Sequence, residues 1–449
     1  MVWVGFIIFD KVTHQKNTSV MPINILATAD LHLGRKSSAL PPEAGQHSTR
    51  HTWKRLVDYA IRHQVDVLLL AGDIVDEDNR YFEATGPLQS GFSRLEQEGI
   101  EVFMIAGNHD FAVLEQIIHH HSYEHVHLMG ADGSWEKTTR TIKGQEIQLA
   151  GWSFTHKHVR EDPMAGFDRL DLNPGQITIG LLHGDLYTPD SLYAPVTSAQ
   201  LESKPVDAWI MGHIHKPADI KPEKPYIAYT GTPHALNPGE PGVHGPVLLT
   251  VESKENIQAQ RIPLSPIRYE LLEVDVSQTE DLASFREQVT RQLWDSAQDL
   301  LPWLEQVAWL IYDVHLVGES SHLNNIGSWM DQMEDYSPEL STGTQVSIRK
   351  AISHVKPAAG NLHELASHPS PAGQLAQTIL TIENGESSDF LEVLTEQWQQ
   401  YVKRLNHTST YLPLHQENRV FEGTREEARN KILSESRRML SELLAQQEK

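Results

Sequence analysis

The chain has 449 residues, 39% of them hydrophobic, and a formal net charge of −23, with a pI near 5.5. That length exceeds one ordinary domain, so two or three are expected. The acidity argues against broad nonspecific adhesion to nucleic acid or anionic membrane, while leaving a nucleic-acid enzyme open. With no cysteine, disulfides, thiolate ligands and thiol catalysis are excluded, which is compatible with a cytoplasmic protein. No apolar run approaches the roughly 20 residues needed to span a bilayer.

Taken in chain order, residues 1–20 read as an extension outside the fold. Their apolar start is short and lacks the preceding basic region of a signal peptide, and Met21 sits directly before the first strand-like run. Five apolar, β-rich runs then each end at a short polar motif. Residues 23–29 lead into Asp30-Leu31-His32, residues 65–71 into Gly72-Asp73, and residues 102–106 into Gly107-Asn108-His109-Asp110. Residues 177–182 lead into His183, and residues 208–211 into Gly212-His213-Ile214-His215. Continuous apolar runs suit strands buried on both faces, and open α/β sheets place their sites at strand carboxyl ends. Residues 49–63 and 88–97 show helical periodicity, and further strands are expected at 147–152, 227–230 and 247–251. The pattern is an α/β domain over 21–252. A polar linker at 253–266 is expected to follow it, carrying Pro263 and Pro266. A strand at 267–276, a helix at 281–300 and a strand at 309–317 then predict a small α+β domain to about residue 350. The remainder, 351–449, reads as mainly helical, with helices at 373–383, 388–405 and 424–447.

The motifs supply imidazoles, carboxylates and an amide, a set able to hold two metal ions. Two divalent ions about 3.5–4 Å apart can clamp a phosphate ester, generate a hydroxide between them and stabilise in-line displacement. Asp73 fits the bridging position because a carboxylate has two oxygens to share. Asp30 with His32, and His213 with His215, are each two residues apart, which on extended backbone puts both side chains on one face. Asn108 offers a neutral oxygen and His183 completes the set. Mixed imidazole and oxygen ligation suits manganese, iron, zinc or nickel better than magnesium or calcium. His109 follows Asn108 immediately, so its ring should point away from the ligands, and it can protonate a departing alkoxide. Asp110 is placed either to orient that ring or to cap the following helix. Glycine before Asp73, Asn108 and His213 reads as tight turns.

In this order the motifs resemble those of the calcineurin-like metallophosphoesterases, over about residues 21–250. That resemblance implies a four-layer α/β/β/α sandwich of two mixed sheets flanked by helices. The stretches Ala29-Asp30-Leu31-His32-Leu33-Gly34, Ala71-Gly72-Asp73-Ile74-Val75-Asp76, Gly212-His213-Ile214-His215-Lys216-Pro217 and Tyr229-Thr230-Gly231-Thr232-Pro233 look more narrowly like SbcD-type bacterial DNA repair exonuclease subunits, on their YhaO-like branch. Carried over, the resemblance implies one metal on Asp30, His32, Asp73 and His215, and the other on Asp73, Asn108, His183 and His213. It makes His109 the transition-state stabiliser or acid, manganese the usual ion, two per site, and the α+β domain a cap. It also implies DNA as substrate, an SMC-like, SbcC-type ATPase as partner, and a homodimer. Some relatives carry a histidine three residues after the bridging aspartate. Here Asp76 stands there, as an acid beside the site, and no DNA-positioning role transfers.

Several features read more plainly. His119-His120-His121 with His125 and His127 reads as a solvated helix surface, since consecutive helical residues point too far apart to share an ion. His156 and His158 read as loop residues, and His51 and His63 as surface. Arg35, Lys36, Arg50, Lys54 and Arg55 form the densest basic stretch near the first motif; Arg35 and Lys36 are the candidate DNA contacts. Ile432, Leu433, Met439, Leu440, Leu443 and Leu444 make an apolar stripe. It is expected to pack on its own domain or to dock a partner coiled coil. No Gly-x-x-x-x-Gly-Lys-Ser/Thr occurs, so the chain is not itself a P-loop ATPase. Alternative readings of the whole are a phosphoesterase for nucleotides or other small esters, or a catalytically weak member of an ATPase–nuclease complex.

Overall fold

The computed structural model describes residues 21–76, 81–119, 123–188, 190–320, 322–333, 336–358, 362–406 and 423–447. The expected extension 1–20 and His120 and His121 lie outside the described residues. The chain divides into two compact units after Arg268.

The first unit is built on two six-stranded mixed sheets. One sheet holds β1 (Ile23–Thr28), β2 (Val67–Ala71), β3 (Glu101–Ile105) and β4 (Val126–Leu128) in parallel, with β11 (Val247–Ser253) and β12 (Asn256–Arg261) antiparallel at its edge. The other holds β5 (Glu136–Ile142), β6 (Gln145–Trp152), β7 (Ile177–His183), β8 (Ala208–Gly212), β9 (Ala218–Lys221) and β10 (Tyr226–Tyr229), with β6, β7, β8 and β10 mutually parallel.

Alternation along each strand explains the continuous apolar runs. Ile25, Ala27, Leu69 and Phe103 face the second sheet and meet Leu149, Ile179, Leu181 and Ile210 there. Leu26, Leu68, Leu70, Val102 and Met104 face outward. They are covered by α1 (Thr49–Arg62), α2 (Tyr81–Gln97) and α3 (Leu114–His119), through Trp53, Leu56, Leu88, Phe92 and Ile117. The outer face of the second sheet buries Trp209, Met211 and Tyr229 under the 3-10 turn Pro163–Arg169 and α4 (Ser198–Glu202), by way of Phe167 and Leu201. Helix, sheet, sheet and helix thus form the four layers.

Two sequence expectations change here. Residues 253–266 are not a linker: β12 lies within them and pairs antiparallel with β11. As an edge strand it is mostly solvated, so it lacks the apolar alternation by which a strand is recognised. The first unit accordingly runs past residue 252, to Arg268. His127, expected on a helix with its neighbours, lies on β4, its ring stacked on Phe103 with centroids 4.7 Å apart.

The second unit carries a three-stranded sheet ordered β13 (Ile267–Asp275), β14 (Trp309–Val317) and β16 (Gln345–Ser353). A two-strand pairing joins β15 (Glu319–Ser320) to β17 (Lys356–Pro357). On the sheet lie α5 (Leu282–Leu300), opened by a capping box at Asp281 and Ser284, and α6 (Leu323–Asp331). They close a core of Phe285, Val289, Leu293, Tyr312 and Trp329. The helices α7 (Leu362–Ala366), α8 (Pro371–Glu383), α9 (Asp389–Asn406) and α10 (Arg425–Gln447) follow. In the C-terminal stripe, Leu433, Leu440 and Leu444 pack against Ala376 and Ile379 of α8, while Met439 is exposed. No described helix is long and apolar enough to cross a membrane.

Candidate metal centre

Parallel pairing brings the carboxyl ends of β1, β2, β3, β7 and β8 to one end of the sandwich. The loops that leave β1 and β2 zip together beyond the strands, with Asp30 N donating to Gly72 O at 3.0 Å and His32 N to Asp73 O at 3.0 Å. Backbone conformation, however, is not that of extended strand. Asp30, His32, Asp73 and His213 have φ of 51°, 41°, 50° and 102°. The expected two-residue alternation on extended backbone therefore does not apply to Asp30 and His32 or to His213 and His215. Left-handed turns aim these side chains instead. Such non-glycine conformations each cost on the order of 1–3 kcal/mol and cluster at functional sites.

The preceding glycines are demanded by close approach rather than by turn type alone. A Cβ on Gly107 would stand 2.6 Å from Asp73 N and 2.8 Å from Asp73 Cγ. One on Gly212 would stand 2.7 Å from His183 Nδ1 and 2.8 Å from Ala29 Cβ.

The side chains converge as three groups, of which His32, Asp76 and His109 form the most open and two others lie deeper. Asp30, His32 and His215 form one, and Asp30, Asp73 and His183 the other, with ligand atoms in each group within 4.8 Å of one another. His32 Nε2 lies 2.9 Å from His215 Nε2. His32 Nδ1 lies 3.2 Å from Asp76 Oδ1, and His215 Nδ1 lies 3.0 Å from Glu240 Oε1. Because a carboxylate only accepts, each Nδ1 donates, and with both rings neutral the two Nε2 lone pairs face each other. His183 repeats this: Nδ1 donates to Ala71 O at 3.0 Å, which turns Nε2 toward Asn108 Oδ1 at 3.2 Å and Asp73 Oδ2 at 3.5 Å, where a proton or a metal ion can lie between them. Acceptors facing acceptors in a buried place repel one another unless a proton or a metal ion lies between them. The donor set therefore fits divalent metal at both deeper groups. The His213 ring stands beside them, its centroid 5.5 Å from that of His183, while its backbone N–H donates to Asp30 Oδ1 at 3.1 Å.

Charge follows the same layout. Burial alone would push the Asp73 carboxyl up, but the surrounding His183, His32 and His109 outweigh it and hold it well below the usual carboxylate range. Burial likewise works against charge on His183, yet Asp73 and Asp30 raise it to about 9. Burial lowers His213 to about 4, with His183 adding to the effect.

His109 is the most exposed imidazole of the centre that faces Asp73, at 29% of its side chain, with Nε2 4.0 Å from Asp73 Oδ2 and Nδ1 3.7 Å from Asp76 Oδ1. Asp76 thus stands between His32 and His109. Asp110 neither orients His109 nor caps a helix. Its carboxylate accepts from Ile74 N at 2.5 Å, Val75 N at 3.3 Å and Gly107 N at 2.7 Å. It ties the loop after β2 to the loop after β3, because two glycine-tight turns leave amides that only a buried acceptor can satisfy.

Of the basic stretch, Arg35 lies near enough to His215 for its charge to oppose protonation there, and Lys36 is exposed on the same loop. Arg55 instead turns inward, donating to Leu264 O at 3.2 Å. His156 and His158 lie on loops, the former 2.9 Å from Thr155 Oγ1 and the latter with its ring 5.5 Å from that of Tyr193. Sequence reasoning missed Glu240. It lies 25 residues after His215, beyond every motif, and only its position in the polar loop after β10 could have flagged it.

Residues 23–217 match the calcineurin-like phosphoesterase family. The chain is 30% identical over 276 residues to the uncharacterized metallophosphoesterase YhaO of Bacillus subtilis, covering 60% of this chain and 66% of that protein. It is 24% identical over 224 residues to the DNA double-strand break repair protein Mre11 of Methanopyrus kandleri, covering 46% and 48% respectively. It is 34% identical over 88 residues to the SbcD component of the nuclease SbcCD of Escherichia coli, covering 20% and 21%. The matches thus span about two thirds of YhaO's length and under half of the other two.

Proposed function

Because this chain belongs to the calcineurin-like phosphoesterase family, we propose that it is a two-metal phosphodiesterase acting on DNA, an exonuclease of DNA repair. The carrying observation is the convergence of buried imidazole nitrogens and carboxylate oxygens, His32 Nε2 lying 2.9 Å from His215 Nε2 and His183 Nε2 3.5 Å from Asp73 Oδ2, a donor set that suits metal ions. Asp30, His32, Asp73 and His215 would hold one ion. Asp73, Asn108, His183 and His213 would hold the other, manganese being the ion we assign. Ions held there supply an activated water and neutralise the charge developing on phosphorus.

The chain's own part is orientation and proton transfer. Asp73 would join the two ions, its Oδ2 lying 3.8 Å from His32 Nε2 and 3.5 Å from His183 Nε2. His109 is open to substrate and gives a proton from Nε2 to the departing 3′-oxygen, while Asp76 at Nδ1 supports the charged ring. Arg35 and Lys36, on the loop after His32, contact backbone phosphate. The names of Mre11 and the SbcCD nuclease support DNA as substrate. The same reading includes a cytoplasmic protein that dimerises through α1 and α2 and works with an SMC-like ATPase of SbcC type. For that partner the C-terminal unit offers the exposed Phe390, Val393, Tyr401 and Met439.

The net charge of −23 favours a second reading, hydrolysis of nucleotides or other small phosphoesters, since an acidic surface repels a polyanion. The test is to assay the full chain with manganese on linear duplex DNA, single-stranded DNA and bis-p-nitrophenyl phosphate. Release of nucleotides from DNA ends supports the nuclease. Turnover of the small ester with none of either DNA assigns the second reading.

A further inference from the structure

Three imidazoles present Nε2 to the proposed ion positions, and what stands behind each Nδ1 differs. His183 is backed by the neutral Ala71 carbonyl, and His32 by Asp76 within its own motif pair. His215 is backed by Glu240, from a loop no motif includes. We propose that Glu240 is a positioning residue for the metal centre. Its carboxylate fixes the tautomer and direction of His215 and makes that imidazole a stronger donor to an ion. The proposal rests on the two-ion reading above and adds to it a residue that touches neither ion nor substrate.

The loop is built to hold that carboxylate in place. After β10, Gly231 adopts a φ of +69°, and a Cβ there would stand 2.6 Å from His215 O and 2.6 Å from Pro217 N. The chain can therefore fold back along the histidine segment, and Thr232 N donates to His215 O at 2.9 Å. Farther on, the buried His244 ring stands between two backbone carbonyls, 2.7 Å from Thr232 O and 2.8 Å from Glu240 O. Glu240 N donates to Asn237 O at 3.0 Å, and Asn237 Nδ2 donates to Glu240 Oε1 at 2.5 Å. Glu240 itself is 8% exposed, and its Oε2 is buried with no hydrogen-bond partner among the described residues. The single oxygen in use is shared between Asn237 and His215. Burying a carboxylate with one oxygen unused is unfavourable, and the one used faces an imidazole of the centre. Carboxylate–histidine pairs of this kind orient metal ligands and raise their basicity. With Asp76 and Glu240 both behind it, the position formed by Asp30, His32 and His215 has two anionic backers. The position at His183 has a neutral one.

The experiment uses the full chain, stripped with chelator and titrated with Mn2+ alone, read by equilibrium dialysis and by the exchange-coupled signal of paired manganese. The wild-type chain takes up two ions. Glu240→Ala weakens one of them by about 10- to 100-fold and leaves the other in place. Glu240→Gln, which still accepts from Nδ1 but carries no charge, falls between. At saturating Mn2+ the turnover of bis-p-nitrophenyl phosphate by both variants returns toward wild type. A bystander brace would instead lower the melting temperature of the metal-free protein and leave manganese affinity unchanged, which overturns the proposal. If Glu240→Ala does not fold, Glu240→Gln decides: weaker uptake of one ion supports the role, and wild-type uptake refutes it. A wild-type chain that binds fewer than two ions overturns the two-ion reading first. Two ions bound equally well by wild type and both variants overturn the role of Glu240 alone.

Discussion

Gly107→Ala is a one-methyl change that should disable the centre. The backbone at Gly107 is outside the left-handed region, so alanine is conformationally allowed there and the conflict is steric. The new methyl would stand 2.6 Å from Asp73 N and 2.8 Å from Asp73 Cγ, where ordinary contact begins near 3.4 Å. Asp73 Oδ1 would be closer still, so relief needs a retreat of about 1 Å by Asp73 or by the loop after β3. Both are pinned, since Asp110 ties Gly107 N to Ile74 N and Val75 N, and His109 N donates to Asp73 Oδ1 at 2.9 Å. Overpacking of this kind costs about 1–3 kcal/mol, roughly 2–4 °C per kcal/mol in a unit of this size. A displacement near 1 Å in reacting groups costs up to about 100-fold in rate. The assay is phosphodiester hydrolysis with saturating Mn2+, alongside thermal melting. Gly86→Ala serves as control, because Gly86 is helical with nothing within 4 Å of an added Cβ; it should keep full activity and gain up to about 1 kcal/mol. Wild-type turnover by Gly107→Ala would refute the argument that Asp73 has no room to move.

Other expectations follow from the same geometry. Asp110→Asn replaces an acceptor of three amides by a group with one acceptor oxygen, and should destabilise the protein by about 1–3 kcal/mol per amide left unmet, visible as a lower melting temperature. His109→Ala should keep its metal content by elemental analysis while turnover falls by about 100- to 10,000-fold; loss of metal would reassign the residue as a ligand. Asp73→Ala should lose both ions, because its Oδ2 lies 3.8 Å from His32 Nε2 and 3.5 Å from His183 Nε2; retention of two would remove the bridging role.

Much of this was legible in the chain because the signal is local. Each motif directly follows an apolar run, so the strand ends could be read before any contact was known, and the structure brings Asp30, His32, Asp73, His183 and His215 together there. What could not be read depends on conformation or distant pairing. Left-handed backbone at Asp30, His32, Asp73 and His213 is a consequence of loops zipping together beyond the strands, and nothing in those residue types announces it. Asp110 reads as a helix cap from its place in the chain, yet its acceptors are used 35 and 36 residues back. β12 was hidden because an edge strand needs no apolar face, and Glu240 because its purpose lies 25 residues away.

The claim that this pocket holds two metal ions is tested most directly by anomalous scattering at the manganese edge from crystals of the full chain grown with Mn2+. The account predicts two peaks. One lies between Asp30, His32 and His215, the other lies beside His183 and Asn108, and Asp73 contacts both. A single peak, or one held instead by His109 and Asp76, would contradict it.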